Sequence, residues 1–425
     1  MIGRLLADLS GRVAGADAVL TTDHTISAIR GQDGAGSVTA SETHQLHLRA
    51  CDRGRIGWAS GDAGSADQVL AATLRSVAVG GSGSLLLPLP SPLPEVVTRS
   101  PAAGTLSAAD LVRMVEQLHA RLLRSGWVVD AFAERSVGSV AIGNTRGVAS
   151  EYPHTQVGLG AAVSSVDGRL SCRVHQVQAA PPSAGQVDAL VAELSRLLDP
   201  PPINTESATR SARVWFGPRA VRALLTPILA RLVGERWLEE RDRWPSLDDR
   251  LTLIDDPHQP ERPGSRPIDD DGVPTRRLTL IGRGRVVTGV LDLATGSRHL
   301  VPTTGHGWRR GPAGSRPGFT NLLLAAGEDG DADLAAAAGS GVLVRDFQLG
   351  PSPNPETGVF RAAAPWAYQL SRGEIIGRLE GVVLAGNVFQ LLGPSRLMAV
   401  GRDREWLGAA LLPSLVVDGV GLTFR

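Results

Sequence analysis

The chain has 425 residues, 42% apolar and 20% charged, enough for a sizeable core and more than one domain. Its 43 basic residues cancel 43 acidic ones and only 4% are aromatic, so the composition offers no field or stacking platform for nucleic acid and none for an anionic membrane. All 43 basic residues are arginine, and the lack of lysine excludes Walker-type phosphate loops, Schiff-base enzymes and kinase-type phosphate lysines.

In chain order, Ile2, Leu5, Leu6, Leu9 and Val13 share one face of a predicted first helix. Met1 to Leu20 carries Asp8 and Asp17 and does not read as a signal peptide, and no apolar run of about 18 residues predicts a membrane span. Ala16–Leu20, Thr25–Arg30, Glu42–Asp52 and Arg55–Ser60 read as strands of an antiparallel meander, and Ala63–Val79 returns to a helical period. Residues 80–104 hold Pro88, Pro90, Pro92, Pro94 and Pro101 among glycines and serines. They predict a long, irregular surface connection, mobile enough for proteases to cut first.

Ser107 with Asp110 caps a helix through Arg124. Strands follow at Trp127–Arg135, Ser139–Asn144, Gln156–Val163 and Leu170–Gln178, then a helix at Gln186–Leu198. Asp199 and the three prolines 200–202 put a domain boundary between about 199 and 210, giving domains 1–200 and 211–425. The second domain opens with a strand, Arg213–Phe216, and a helix from Pro218 to Arg241 that Pro227 should kink. Strands then read at Arg277–Ile281, Arg285–Leu291, Gly341–Leu349, Val359–Leu370, Glu374–Ala385 and Ser414–Val417. The fold class is α+β, a helix and meander domain followed by a β-rich one.

Most candidate motifs read as structural. Cys51 and Cys172 are too few for a disulfide framework or a four-thiolate zinc site and suit a reducing cytoplasm. His44 and His47 fall on opposite strand faces, and His299 and His306 have no helical histidine partner. Asp329, Asp331 and Asp333 begin like a calcium loop, but Leu334 and Ser340 stand where the turn glycine and the bidentate glutamate belong. No serine has glycine two before and two after it, and Gly158-Leu-Gly160 and Gly282-Arg-Gly284 lack a third glycine. Arg276, Arg277, Arg283 and Arg285 read as a solvated face balanced by Asp269–Asp271.

A series of C-terminal segments carries more. Leu253-Ile-Asp255-Asp-Pro257, Gly264-Ser-Arg-Pro-Ile-Asp269-Asp-Asp271-Gly272-Val-Pro-Thr-Arg-Arg277, Thr303-Thr-Gly305-His306 and Asn321-Leu322 are followed by four more. These are Gly373–Gly377, Leu384-Ala-Gly386-Asn387, Ala399-Val-Gly401-Arg-Asp403 and Leu411-Leu-Pro413. In this order, over roughly 213–425, they resemble the TldD/PmbA (TldE) metallopeptidase family. The catalytic TldD branch carries His-Glu-x-x-x-His on a helix and a late cysteine that bind zinc. By position this chain has Thr226, Pro227 and Arg231 in place of the motif, and Leu407 in place of the cysteine.

The resemblance is therefore to the TldE/PmbA branch. It implies a subunit without its own metal, a zinc-bearing TldD-like partner, and an extended or unfolded peptide as substrate. It also implies a substrate groove of Thr304, Gly305, His306, Gly386 and Asn387, with peptide held along strand edges near Ala385–Asn387. Two further readings stand beside it: a homodimeric peptide- or metabolite-binding scaffold, and an enzyme of a modification pathway using His306 with Asp269 or Asp271.

Overall fold

The computed structural model describes residues 1–31, 34–167, 170–203, 209–309, 311, 313–349 and 356–424. Its first half runs α1 (Ile2–Ser10), β1 (Gly15–Arg30), β2 (Gly36–Asp52), β3 (Arg55–Asp62), α2 (Ala66–Val79), α3 (Pro101–Gly104) and α4 (Ala108–Leu122). Then come β4 (Trp127–Asn144), β5 (Ala149–Ser165), β6 (Ser171–Gln178) and α5 (Ala184–Leu198). The six strands form one antiparallel sheet in the order β3-β2-β1-β4-β5-β6.

Two pairs of predicted strands fuse into the long β1 and β4. The polar stretch between them is held on both sides, Thr22 lying opposite both His44 and Ser139, with Asp23 taking a hydrogen bond from Ser136 at 2.7 Å. Alternation puts Ala18, Leu48, Ala131, Leu159 and Val174 on one face, beneath α1, α2, α4 and α5. The capping boxes at Ser107 with Asp110 and at Ser183 with Gln186 start α4 and α5.

Residues 81–100 take an irregular course, but they are pinned rather than loose. Asn144 Nδ2 donates to Pro88 O at 2.9 Å, Arg146 Nη1 to Leu87 O at 3.0 Å, and Glu261 N to Val97 O at 2.8 Å. Part of the expected boundary at 199–210 lies outside the described residues.

The second half holds β7 (Pro202–Ile203), β8 (Thr209–Phe216), α6 (Pro218–Arg231), α7 (Gly234–Glu240), β9 (Leu253–Asp255), β10 (Leu278–Gly282) and β11 (Arg285–Val286). It continues with α8 (Leu293–Arg298), β12 (Gly307–Arg309), β13 (Ser315–Pro317), β14 (Leu322–Leu324) and α9 (Asp331–Ala338). It ends with β15 (Val342–Leu349), β16 (Val359–Ser371), β17 (Glu374–Leu379), β18 (Val382–Asn387), α10 (Val388–Leu391), β19 (Leu397–Trp406) and β20 (Ala410–Phe424).

β20 pairs with β8, β8 with β15, β15 with β16, β16 with β18, and β18 with β20, which closes a ring of five strands. Phe216, Val344, Phe360, Leu384, Leu415 and Leu422 fill it together with Val221, Leu224 and Ile228 of α6. The alternate residues Trp215, Leu343, Tyr368 and Val416 join the cluster of α4 and α5 instead, so one apolar core spans both halves. The Tyr368 hydroxyl donates to Leu197 O at 2.8 Å and Trp366 Nε1 to Ser171 O at 2.9 Å across that seam.

Some expectations change here. The predicted Pro218–Arg241 helix is two helices, and α6 runs through Pro227. The break falls at Gly234, whose φ of +61° glycine adopts without strain. Glu374–Ala385 splits at Gly381, and only Arg285–Val286 of Arg285–Leu291 is strand. Asp333 caps α9, its carboxylate accepting from Gly330 N at 3.0 Å. No helix among the described residues is long and apolar enough to cross a membrane.

Candidate functional site

Thr304, Gly305 and His306 form a buried turn between α8 and β12. Thr304 Oγ1 donates to Leu291 O at 3.0 Å. Gly305 has φ +72°, and a Cβ there would lie 2.4 Å from Pro274 O, so no side chain fits. His306 is enclosed: Nδ1 faces Thr304 O at 2.8 Å and Nε2 faces Asp255 Oδ1 at 3.2 Å. Both nitrogens face oxygens, so neither offers a free lone pair to a metal or a substrate proton. Asp255 also accepts from Thr320 N at 2.8 Å.

Gly386 and Asn387 lie elsewhere, at the end of β18. Asn387 Oδ1 caps α10 by accepting from Phe389 N at 3.0 Å, and its Nδ2 donates to Thr357 O at 2.6 Å. β9, which holds Asp255, connects through β14 to β20 at Ala410, whereas β18 meets β20 at Gly421. At ~3.3 Å per residue, roughly 35 Å of strand separates those two points. Of the expected groove residues, Thr304, Gly305 and His306 thus lie towards the Ala410 end of β20, and Gly386 and Asn387 towards its Gly421 end. Ala385 offers no strand edge, because it pairs with both Arg361 and Gly421.

The acidic run 269–271 works as a staple between the two halves. Asp269 accepts from Gly307 N at 2.8 Å and Val273 N at 2.9 Å; Asp270 accepts from Arg309 N at 2.7 Å and pairs with Arg266. Asp271 accepts from Leu293 N at 3.1 Å and Arg49 Nη2 at 3.3 Å. From β12, Arg309 forks onto Asp17 of β1, Nη1 to Oδ1 at 3.1 Å and Nη2 to Oδ2 at 3.0 Å, and Arg49 Nε reaches the same carboxylate at 3.0 Å. Burial, then the Asp271 carboxylate, pushes Asp269 up to about 8, against the pull of the Gly307 and Val273 N–H groups.

The charged partners of Asp270 and Asp271 are thus Arg266 and Arg49, not the expected Arg276, Arg277, Arg283 and Arg285. Arg277 pairs with Asp256 at 3.5 Å and Arg283 with Asp249 at 3.9 Å. His306 faces Asp255 rather than Asp269 or Asp271, so the reading of an enzyme built on that set loses its geometry.

The positions standing for the zinc motif do not converge. Thr226 is exposed on α6, its hydroxyl on Arg222 O at 3.4 Å, while Pro227 and Arg231 face the core. Arg231 Nε donates to Glu240 at 2.5 Å, and its guanidinium lies 4.5 Å from the Trp244 ring and 4.8 Å from that of Phe389. A threonine, a proline and a guanidinium committed to a carboxylate do not fit zinc, which needs neutral or anionic donors converging at about 2.0–2.3 Å. Among the described residues no group of three or more His, Cys, Asp or Glu is placed to hold a metal ion.

Leu407 is buried in the turn between β19 and β20, beside a cavity of about 370 Å³ that Arg173 and His175 of β6, Arg219 and Arg222 of α6, and Asp346 of β15 also line. Arg222 Nη1 donates to Leu407 O at 3.4 Å, and Arg219 Nε to Glu193 of α5 at 2.8 Å, with Glu405 3.9 Å away. Burial, then the Glu193 carboxylate, pushes Glu405 up to about 7 despite Arg219. Burial likewise pushes the nearby Cys172 thiol up to about 12, which leaves it inert as a nucleophile. The arrangement supports charge pairing and proton uptake across the seam. The trace this network leaves in the sequence is a set of isolated charges, such as Asp17 between Ala16 and Ala18, and such charges do not name their partners.

Comparison with known proteins agrees with the C-terminal pattern. The PmbA/TldA metallopeptidase C-terminal domain matches residues 209–423. A metalloprotease TldD homologue of Haemophilus influenzae is 30% identical over 150 residues, 35% of this chain and 31% of that protein. A metalloprotease of Archaeoglobus fulgidus is 27% identical over 175 residues, 41% of this chain and 40% of that protein, so the chain matches less than half the length of either relative. The crystal structure of TldE from Thermococcus kodakarensis superposes with a TM-score of 0.86 at 20% identity, covering 99% of both chains. A Thermotoga maritima protein described as a candidate modulator of a DNA gyrase gives 0.84 at 19% identity, again covering 99% of both.

Proposed function

Because the chain belongs to the PmbA/TldD metallopeptidase family, we propose that it is the family's metal-free, TldE/PmbA-like subunit, completing a zinc peptidase whose metal sits in a TldD-like partner. The observation that carries this reading is Arg231. At a position where the catalytic branch would hold a zinc ligand, a buried guanidinium is tied to Glu240 and enclosed by Trp244 and Phe389. A cation so placed repels a metal, and removing it would leave Glu240 without its ion-pair partner.

The chain's contribution is shape. Its shared core and the Asp17–Arg309 staple hold the two halves as a wall that excludes water from the partner's chamber and orients an extended or unfolded peptide. The free thiols Cys51 and Cys172 suit work in the cytoplasm.

The test is metal analysis of the purified chain, then peptide-cleavage assays with and without a TldD-like subunit. The expected result is no bound zinc, no cleavage by this chain alone, and cleavage only by the pair. Stoichiometric zinc in the isolated chain, or full activity from the partner alone, overturns the reading.

A further inference from the structure

A cavity of about 850 Å³, within the roughly 300–1,000 Å³ range of small-molecule sites, opens at the seam between the two halves, far from the zinc-motif helix in sequence. Its origin lies in β16, which pairs with β18 through Ala363 and with β17 only from Ala367. Pro365, in the gap, has no N–H to pair. The turn at Glu380 and Gly381 faces that gap, and Trp127, Leu170 and Ser171 of the first half close the other side.

Trp127, Leu170, Pro365 and Val383 form an apolar patch in a lining that is otherwise mostly polar, and Arg378 stands beside it. Arg378 is 7% exposed, and its Nε has no hydrogen-bond partner among the described residues. The nearest carboxylate, Glu380, is 4.0 Å away, beyond hydrogen-bond reach, and its side chain is 53% exposed. The guanidinium otherwise lies 5.5 Å from the Trp127 ring.

Among the other buried arginines, Arg49 and Arg309 share Asp17 and Arg266 holds Asp270, while Arg135 reaches only His24, at 3.4 Å. A buried guanidinium nitrogen without a hydrogen bond is an unfavourable arrangement unless something completes it. Nearer solvent, the cavity carries the carboxylates of Asp167, which also takes a bond from Ser165, and Glu380.

One inner cation, two outer anions and an apolar patch match a small zwitterion with an apolar side chain. We propose that this cavity binds a free apolar amino acid or short apolar peptide. The ligand carboxylate lies on the Arg378 fork, the ammonium group towards Asp167 and Glu380, and the side chain against Trp127 and Val383. The proposal goes beyond the peptidase reading and does not depend on it.

Calorimetric titration of the full chain with L-leucyl-L-phenylalanine tests it, alongside the same dipeptide as its C-terminal amide, the N-acetylated dipeptide, and octanoate. The expected result is saturable binding of the free dipeptide, weakened about tenfold or more by amidation and also weakened by acetylation, with octanoate weaker than the dipeptide. Ala363→Trp, which fills the cavity from an exposed position, should abolish binding. Arg378→Gln should abolish it with little change in the melting temperature of the unliganded protein, since only the 4.0 Å contact to the half-exposed Glu380 and the 5.5 Å contact to the Trp127 ring are lost. If Arg378→Gln does not fold, or melts lower, Arg378 is structural and the proposal fails on that point. The amide and Ala363→Trp arms decide separately whether the cavity binds. Equal affinity for the amide or octanoate, no saturable binding of the dipeptide, or unchanged binding by Ala363→Trp overturns the proposal.

Discussion

Asp17→Asn removes the charge that two buried arginines share across the halves. The Arg309 side chain is 0% exposed and that of Arg49 10%, and both donate to this one carboxylate. With the carboxylate gone, Arg309 keeps its bond to Asp270 O at 3.1 Å and Arg49 its bond to Asp271 at 3.3 Å, but neither retains the fork. Breaking a buried ion pair in this way costs about 3–5 kcal/mol. Unfolding entropy of ~2.1 cal/mol/K per residue, over 425 residues, makes roughly 0.9 kcal/mol per degree, so the melting temperature should fall by about 3–6 °C.

The pH dependence follows from the same geometry. Burial alone would raise the Asp17 carboxyl, but Arg309 and then Arg49 outweigh it and hold it below its ordinary value of 3.8. A depressed carboxyl stabilises the fold above its unfolded value and loses that contribution as pH falls through the folded one. The melting temperatures of wild type and Asp17→Asn, followed by calorimetry, should therefore differ in full near pH 7 and converge below about pH 4. Replacing Asp17 and Arg309 together by leucine or methionine should cost less than the single change, because Arg49 stays paired with Asp271 and no unpaired charge stays buried. A shift under about 1 °C for Asp17→Asn, or a double variant worse than the single, would refute the reasoning.

Glu405→Gln should flatten the stability profile at neutral pH. A carboxyl raised from 4.5 to about 7 lends its full contribution below 4.5 and loses it as pH rises through 7, so wild type should melt lower at pH 8 than at pH 5, and the variant less so. Asp269, raised to about 8, contributes to the slope that persists in the variant. Asn144→Ala should convert the pinned 81–100 segment into a protease-sensitive one, because it frees Pro88 O and the N–H groups of Arg146 and Val148. Limited proteolysis should cut the variant there and spare wild type, and equal cutting of both would show that the prolines alone govern access.

Local pattern was enough for much of this protein. Apolar residues at helical spacing placed α1, α4 and α5, period-two alternation placed the six strands of the first sheet, and the order of the C-terminal motifs named the family. The motif spacing could not say what those motifs do. Asp269–Asp271 and Thr304–His306 read as a site, yet they are buried as a staple and a turn, and Arg49 and Asp17, which meet Asp271 and Arg309, lie more than 200 residues away from them in sequence.

Pairing across such distances depends on where the chain folds back, and a single sequence carries no periodicity for that. The same holds for Gly386, which ring closure by β18 and β20 carries away from His306, and for Arg378, an ordinary arginine in the sequence. Local propensity and burial pattern are short-range quantities, legible in the residues themselves. The neighbours of a buried charge are a long-range outcome of packing, and the tertiary structure alone decided them.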